Sequence, residues 1–153
     1  NLNLSGEITA SNITGTVVTV RPLAADYEII TEVINENNSL KGLVLYGDAD
    51  QSAGIGITSD TVSVWEARNK KRTTVNEVKL NSGSRVELKI KVEKGYMCRF
   101  YWRAIGKEWS EIKTADEYFN ADFLPPWDRS PRPGLQQSGS APAVFNFFEI
   151  KYN

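Results

Sequence analysis

Between residues 84 and 94 the chain alternates without a break. Val86, Leu88, Ile90 and Val92 fall on one side of an extended backbone, and Glu87, Lys89, Lys91 and Glu93 fall on the other. Successive side chains of a β-strand point to opposite faces, so this run predicts a long strand with one apolar and one charged face. Beyond the short turn at Lys94-Gly95, residues 96–103 continue the pattern. Tyr96, Cys98, Phe100 and Trp102 share one side, and Met97, Arg99, Tyr101 and Arg103 share the other. The two runs predict a β-hairpin whose apolar sides face a core. A sheet with one apolar face requires a second layer to cover it, and that requirement restricts the fold more than any other feature of the chain.

The rest of the sequence offers that layer. Further strands are expected at residues 16–21, 26–34, 40–46, 53–58, 61–68, 73–80, 108–112, 134–138 and 143–152, most of them separated by Asn, Gly, Asp and Ser clusters. Short strands with regular punctuation predict an all-β, antiparallel sandwich or barrel. One short helix is expected at residues 114–119, with Thr114 as cap and Asp116 and Glu117 in its first turn. Residues 123–133 hold Pro125, Pro126, Pro131 and Pro133 and read as a rigid extended loop, because proline donates nothing to a ladder. There is no repeat, low-complexity tract or linker. A chain of 153 residues can bury about two-thirds of its unfolded surface, so a single domain over residues 1–153 is expected. Residues 1–25 supply edge strands, which lets the domain fold without a neighbour.

Composition removes several kinds of chemistry. With no histidine and one cysteine, Cys98, the chain by itself supplies no Ser-His-Asp or Cys-His triad, no His-ligated metal, no internal disulfide and no thiolate cluster. A net charge of -1 provides no basic field for phosphates, so nucleic acid is not an expected partner. The longest apolar run, Leu43 to Tyr46, is far short of the roughly 20 residues of a membrane span, so no membrane insertion is expected. Residues 1–6 lack the charged start and apolar run of a signal peptide, and location is not legible from them.

Carboxylates and metals are the chemistry that remains. Glu28 with Glu32, and Glu87 with Glu93, could share a strand face as a hydrolytic pair would require. Both pairs alternate with apolar residues, so a solvated outer face explains them better, and no catalytic residue is assigned. Calcium is the one candidate metal, since only oxygen ligands remain. Gly47-Asp48-Ala49-Asp50 would supply two acids, and Asp26, Glu7 and Glu149 further oxygens. Asp-rich turns also bond their own backbone, and the regular Asp/Asn pattern of a calcium loop is missing. No cofactor is therefore expected, with structural calcium the only option kept open.

The aromatic residues say more. Sugars are held by flat aromatic faces flanked by polar side chains. Trp65 falls opposite Val62 and Val64, and Tyr101 falls opposite Phe100 and Trp102 beside Arg99 and Arg103. Trp65, Arg99, Tyr101 and Arg103 are expected to form one polar, aromatic, sugar-facing group. The competing reading is that Trp65 and Tyr101 pack beneath loops. Trp102 and Phe148 read as core, and Trp109 as a strand residue facing the core. Trp127, Asp128 and Arg129 in the proline-rich loop are the candidates for docking a neighbouring domain.

Several segments together carry a family likeness. Gly42-Leu43-Val44-Leu45-Tyr46 with its Asp-rich turn, the hairpin through Tyr101-Trp102, Pro133-Gly134-Leu135, and Ala141-Pro142-Ala143-Val144-Phe145-Asn146-Phe147-Phe148-Glu149-Ile150 resemble the concanavalin A-like β-sandwich found C-terminal to the catalytic propeller in glycoside hydrolase family 43. The likeness covers residues 26–152. It implies a two-sheet antiparallel jelly roll that is non-catalytic and belongs to a xylosidase- or arabinofuranosidase-like enzyme of plant polysaccharide degradation. Such enzymes are usually exported by bacteria, which implies an extracellular or periplasmic location. The partners implied are an oligo- or polysaccharide, a catalytic domain of the same chain, or both. Two positions depart from the family pattern: Asn146 stands where Asp is frequent, and Lys41 stands where a small residue precedes Gly42. The alternatives are a stand-alone sandwich hydrolase or polysaccharide lyase using Tyr101 and Arg103 or a carboxylate pair, and a structural spacer.

Overall fold

In the computed structural model the alternating run becomes β8 (Arg85–Glu93), paired antiparallel with β9 (Met97–Ala104) from Val86 opposite Ala104 to Glu93 opposite Met97. The turn between them takes in Tyr96, expected in the strand, as well as Lys94 and Gly95, whose φ are 55° and 79°, and the Tyr96 N–H donates to the Glu93 carbonyl at 3.2 Å. The structure describes residues 1–6, 9, 11–80, 84–125 and 131–153.

Two antiparallel sheets result. The seven-stranded sheet runs β1 (Leu2–Leu4), β13 (Ala143–Tyr152), β3 (Tyr27–Ile34), β8, β9 and β10 (Ser110–Ile112), with β11 (Phe119–Asn120) also pairing with β9. The six-stranded sheet runs β2 (Thr16–Thr19), β12 (Arg132–Ser138), β4 (Leu40–Asp48), β5 (Gln51–Thr58), β6 (Thr61–Arg68) and β7 (Lys71–Lys79). The expected all-β, two-sheet sandwich is what forms, with the N-terminal strands β1 and β2 at one edge of each sheet. Among the described residues there is no α-helix, hence none long and apolar enough to cross a membrane.

Two local expectations are corrected. Residues 114–119 are not helical: Phe119 joins β11 and its ring packs edge-on against Phe100 at 5.6 Å and Phe123 at 6.2 Å. One turn of isolated helix is unstable by itself, and aromatic burial outweighs it. Pro133 lies inside β12, opposite Leu45 of β4, rather than in a loop. Its carbonyl accepts a bond from the Val20 N–H at 2.9 Å. The position lacking an N–H thus faces the chain just past the end of β2, where little ladder is lost.

The core fills the space between the sheets. Ile29, Val33, Val86, Leu88, Ile90, Val92 and Phe100 meet Leu43, Leu45, Ile55, Ile57, Val62 and Val64 there. Trp102 and Phe148 pack against this cluster half-buried. A second, smaller cluster, Leu40, Val44, Trp65 and Ala67, lies on the far face of the six-stranded sheet with Ile13, Val17 and Tyr46 against it. The N-terminal segment straps that face. Thr14 Oγ1 donates to the Ala49 carbonyl at 2.8 Å, and Gln136 Nε2 donates to the Thr14 carbonyl at 2.7 Å.

Candidate functional site

The outer face of the seven-stranded sheet is set by alternation and register. With Val86, Leu88, Ile90 and Val92 turned inward, Glu87, Lys89 and Lys91 point outward opposite Arg103, Tyr101 and Arg99 of β9. On the next strand, β3, Glu32, Ile30 and Glu28 lie beside Glu87, Lys89 and Lys91. On the other side Glu111 of β10 is opposite Tyr101. Trp109, just before β10, reaches the same face. Lys89 Nζ stands 4.7 Å from the Tyr101 ring centre and 4.5 Å from that of Trp109, and the Arg103 guanidinium carbon is 4.2 Å from the Trp109 ring. These are cation–π distances. Tyr101, Trp109, Lys89, Arg99 and Arg103 are all half-buried, so each keeps some surface open to solvent.

Electrostatics follow from this crowding. Burial holds the Lys89 ammonium below its usual range; Glu28 opposes that shift and Arg103, Lys91 and Lys151 add to it. Burial, then the Glu111 carboxylate, raises the Tyr101 hydroxyl, with Arg99 opposing. The face therefore presents two aromatic rings among strongly donating cations.

Register also changes the reading of the carboxylates. Glu32 and Glu87 are direct cross-strand neighbours, and Glu32 is only 5% exposed rather than solvated. Like charges so placed repel unless compensated. Arg85 Nη2 is 2.7 Å from Glu32 Oε1, and Arg103 Nε is 2.9 Å from Glu87 Oε1. Asn146, at an irregularity in β13, donates through Nδ2 to the second oxygen of Glu32. An Asp there would add a third carboxylate, so Asn is the residue that suits this neighbour. Each of the two carboxylates is thus engaged by a guanidinium group.

The candidate calcium oxygens are engaged separately. Asp48 Oδ1 accepts the Asp50 N–H at 2.9 Å, Asp26 Oδ1 accepts the Lys94 N–H at 2.7 Å, and Glu149 pairs with Lys151 at 3.6 Å. Glu7 lies outside the described residues. Among the described residues no three acidic or Cys side chains gather as a metal group.

Of the four residues expected to face sugar together, Arg99, Tyr101 and Arg103 share the outer face of β9. Trp65 does not join them. It belongs to β6 in the other sheet and is 2% exposed, so the single four-residue face is corrected. Trp65 faces outward from its own sheet as alternation required, but Leu40, Val44 and Ala67 enclose it and the Arg72 guanidinium lies 6.0 Å from its ring. Trp127, Asp128 and Arg129 lie outside the described residues. Trp109 is a second correction, since it faces outward and not the core. Counting back from buried Ile112 would have placed it there, because Glu111 and Trp109 then alternate with Ser110. Lys89 lies on the charged side that alternation predicts, and it meets Tyr101 because the turn holds Tyr96 as well as Lys94 and Gly95.

The comparisons with known proteins agree with this architecture. The family described as the beta xylosidase C-terminal concanavalin A-like domain matches residues 2–124. Among solved structures, a GH43 protein from Bacillus licheniformis superposes with TM-score 0.80 at 17% identity over 99% of this chain. A xylan beta-1,4-xylosidase from Bacillus halodurans gives 0.76 at 15% identity over 97%. A GH43 protein of the Bacteroides ovatus xyloglucan locus gives 0.73 at 20% identity over 99%. This chain spans 32% of the length of each of those three. No curated protein matches by sequence. At such identities structural likeness speaks for the fold alone, whereas the family match covers most of the sequence, and on that match the chain belongs to the concanavalin A-like domains found at the C-terminus of beta xylosidases.

Proposed function

We propose that the chain is the non-catalytic C-terminal module of a longer, exported glycoside hydrolase acting on plant polysaccharide, and that it holds carbohydrate on the outer face of the seven-stranded sheet. The family description and the 32% share of the superposed chains support its place in a longer enzyme. The observation that carries the binding role is the half-buried pair Tyr101 and Trp109, with Lys89 between them and Arg103 over Trp109. Flat rings beside fixed donors suit the C–H faces and hydroxyls of a pyranose.

Titration of xylo-oligosaccharides into the 153-residue chain tests this. Tyr101→Ala and Trp109→Ala are each expected to lower affinity about tenfold or more, from loss of a stacking surface of roughly 1–3 kcal/mol, with the denaturation midpoint little changed. Unchanged affinity in both variants would move the function to a second reading, buttressing of a catalytic domain. That reading is favoured by the apolar strip along the β2 edge, where Val18 is 58% and Leu23 84% exposed.

A further inference from the structure

We infer that the outer face of the seven-stranded sheet selects a carboxylate-bearing sugar, a uronic acid, and that Lys89 is the side chain that reads the carboxylate. This rests on the carbohydrate-binding reading above and narrows it to a ligand class.

Cations surround the Tyr101 ring. Lys89 is directly opposite it, Arg99 and Arg103 stand two residues away along the same strand, and Lys91 is diagonal to it on β8. Side chains in those positions are immediate neighbours on a sheet face. A neutral sugar needs acceptors as well as donors, because each hydroxyl offers a proton. Of the adjoining carboxylates, Glu87 holds Arg103 at 2.9 Å and Glu111 holds Lys113 at 3.2 Å, while Glu28 lies beyond Lys91 on β3. What the face has to offer a ligand is therefore positive charge.

Lys91 has the Glu28 carboxylate directly beside it on β3, whereas Lys89 and Arg99 are poorly compensated. Lys91 and Arg99 face each other across β8 and β9, an arrangement of like charges that costs stability. The ion pair of Arg99 with Glu117 is long, at 3.4 Å, and Glu117 is solvent-exposed, so it relieves little. Among the described residues no carboxylate lies within 4 Å of Lys89 Nζ, whose neighbours are instead two aromatic rings. Its partial burial strengthens any charge interaction it makes, because less water screens it. A uronate stacked on Tyr101 would direct its carboxylate to the Lys89 ammonium and relieve the Lys91–Arg99 repulsion. A neutral pyranose would do neither.

The decisive comparison uses two ligands that differ in one group: a xylo-oligosaccharide bearing one glucuronic acid, and the same molecule with its carboxyl reduced to the primary alcohol. Titrated calorimetrically into the 153-residue chain, the acid is expected to bind about tenfold or more tightly than the alcohol, the size of one charge-assisted hydrogen bond. The advantage should shrink as salt is raised. Lys89→Met should abolish the preference for the acid, bringing the ratio of the two affinities to about one whatever it does to each of them, and Lys91→Gln should reduce that ratio in part. Equal binding of both ligands by the unaltered chain would overturn the uronate inference while sparing the carbohydrate face. Binding of neither would overturn both. The comparison of ligands on the unaltered chain stands whether or not the variants fold.

Discussion

Lys41 carries its ammonium into the interior of the sandwich with no exposed surface. Its Nζ donates to the carbonyls of Asn37 at 2.7 Å and Ser39 at 2.9 Å, which ties the chain before β4 but leaves the charge without a carboxylate among the described residues. Burial alone lowers its pKa from 10.5 to about 8. Below pH 8 the lysine is charged in both folded and unfolded chains, and the folded state bears the full cost of burying it. From pH 8 toward 10.5 the unfolded chain still holds the proton that the folded chain has released, so stability rises with pH. The gain between pH 8 and 9.5 should be roughly 1.5 kcal/mol. Urea denaturation of the unaltered chain and of Lys41→Met over that interval checks this, and parallel pH profiles would refute it. Above pH 10 buried Tyr27, its hydroxyl raised by burial, acts in the opposite sense, because only the unfolded chain ionises it freely. The sequence showed Lys41 as a departure from a small residue; that the slot is sealed emerges only when β12 packs alongside β4 with Gln137 opposite it.

At the level of strands, alternation was a reliable guide to faces and a poor guide to neighbours. β6 has the bounds expected, Thr61–Arg68, and Val62 and Val64 turn inward while Trp65 turns out. Yet β6 lies next to β5 and β7, not β9, and the face it turns out to is covered. Trp65 rests on Gly54, where an added Cβ would lie 2.8 Å from the indole ring and 2.3 Å from the Leu43 carbonyl oxygen. Trp65→Ala is therefore expected to cost about 3–5 kcal/mol in chemical denaturation, as the loss of a packed aromatic does. Sugar affinity of the variant that remains folded should be unchanged. A stable variant with weakened binding would restore Trp65 to the site. The β8–β9 hairpin was legible in its faces but not in its register, because Tyr96 joins Lys94 and Gly95 in the turn and Glu93 therefore meets Met97. β11 was not legible, since its two residues pair only after Phe119 has been drawn into the core beside Phe100.

In the molecule as a whole, both sheets close on one core, so its centre should open only when everything does. Cys98 reports on that. It is fully buried in β9 facing the other sheet, and burial pushes its thiol well above the ordinary range, so a thiol reagent reaches it only in an opened state. Its labelling free energy, followed through sub-denaturing urea, should converge on the global unfolding value from circular dichroism; a much lower value would mean that β9 frees itself locally. Period-two patterning determined the all-β class and the inward and outward sides of strands such as β6 and β8, because these depend on residues close together in the chain. Which strands share a sheet, and so whether Trp65 meets Tyr101 or Glu32 meets Glu87, depends on pairings between segments many residues apart. Those pairings are selected by the requirement that two sheets bury their apolar faces against each other at once, and only the tertiary structure expresses that requirement.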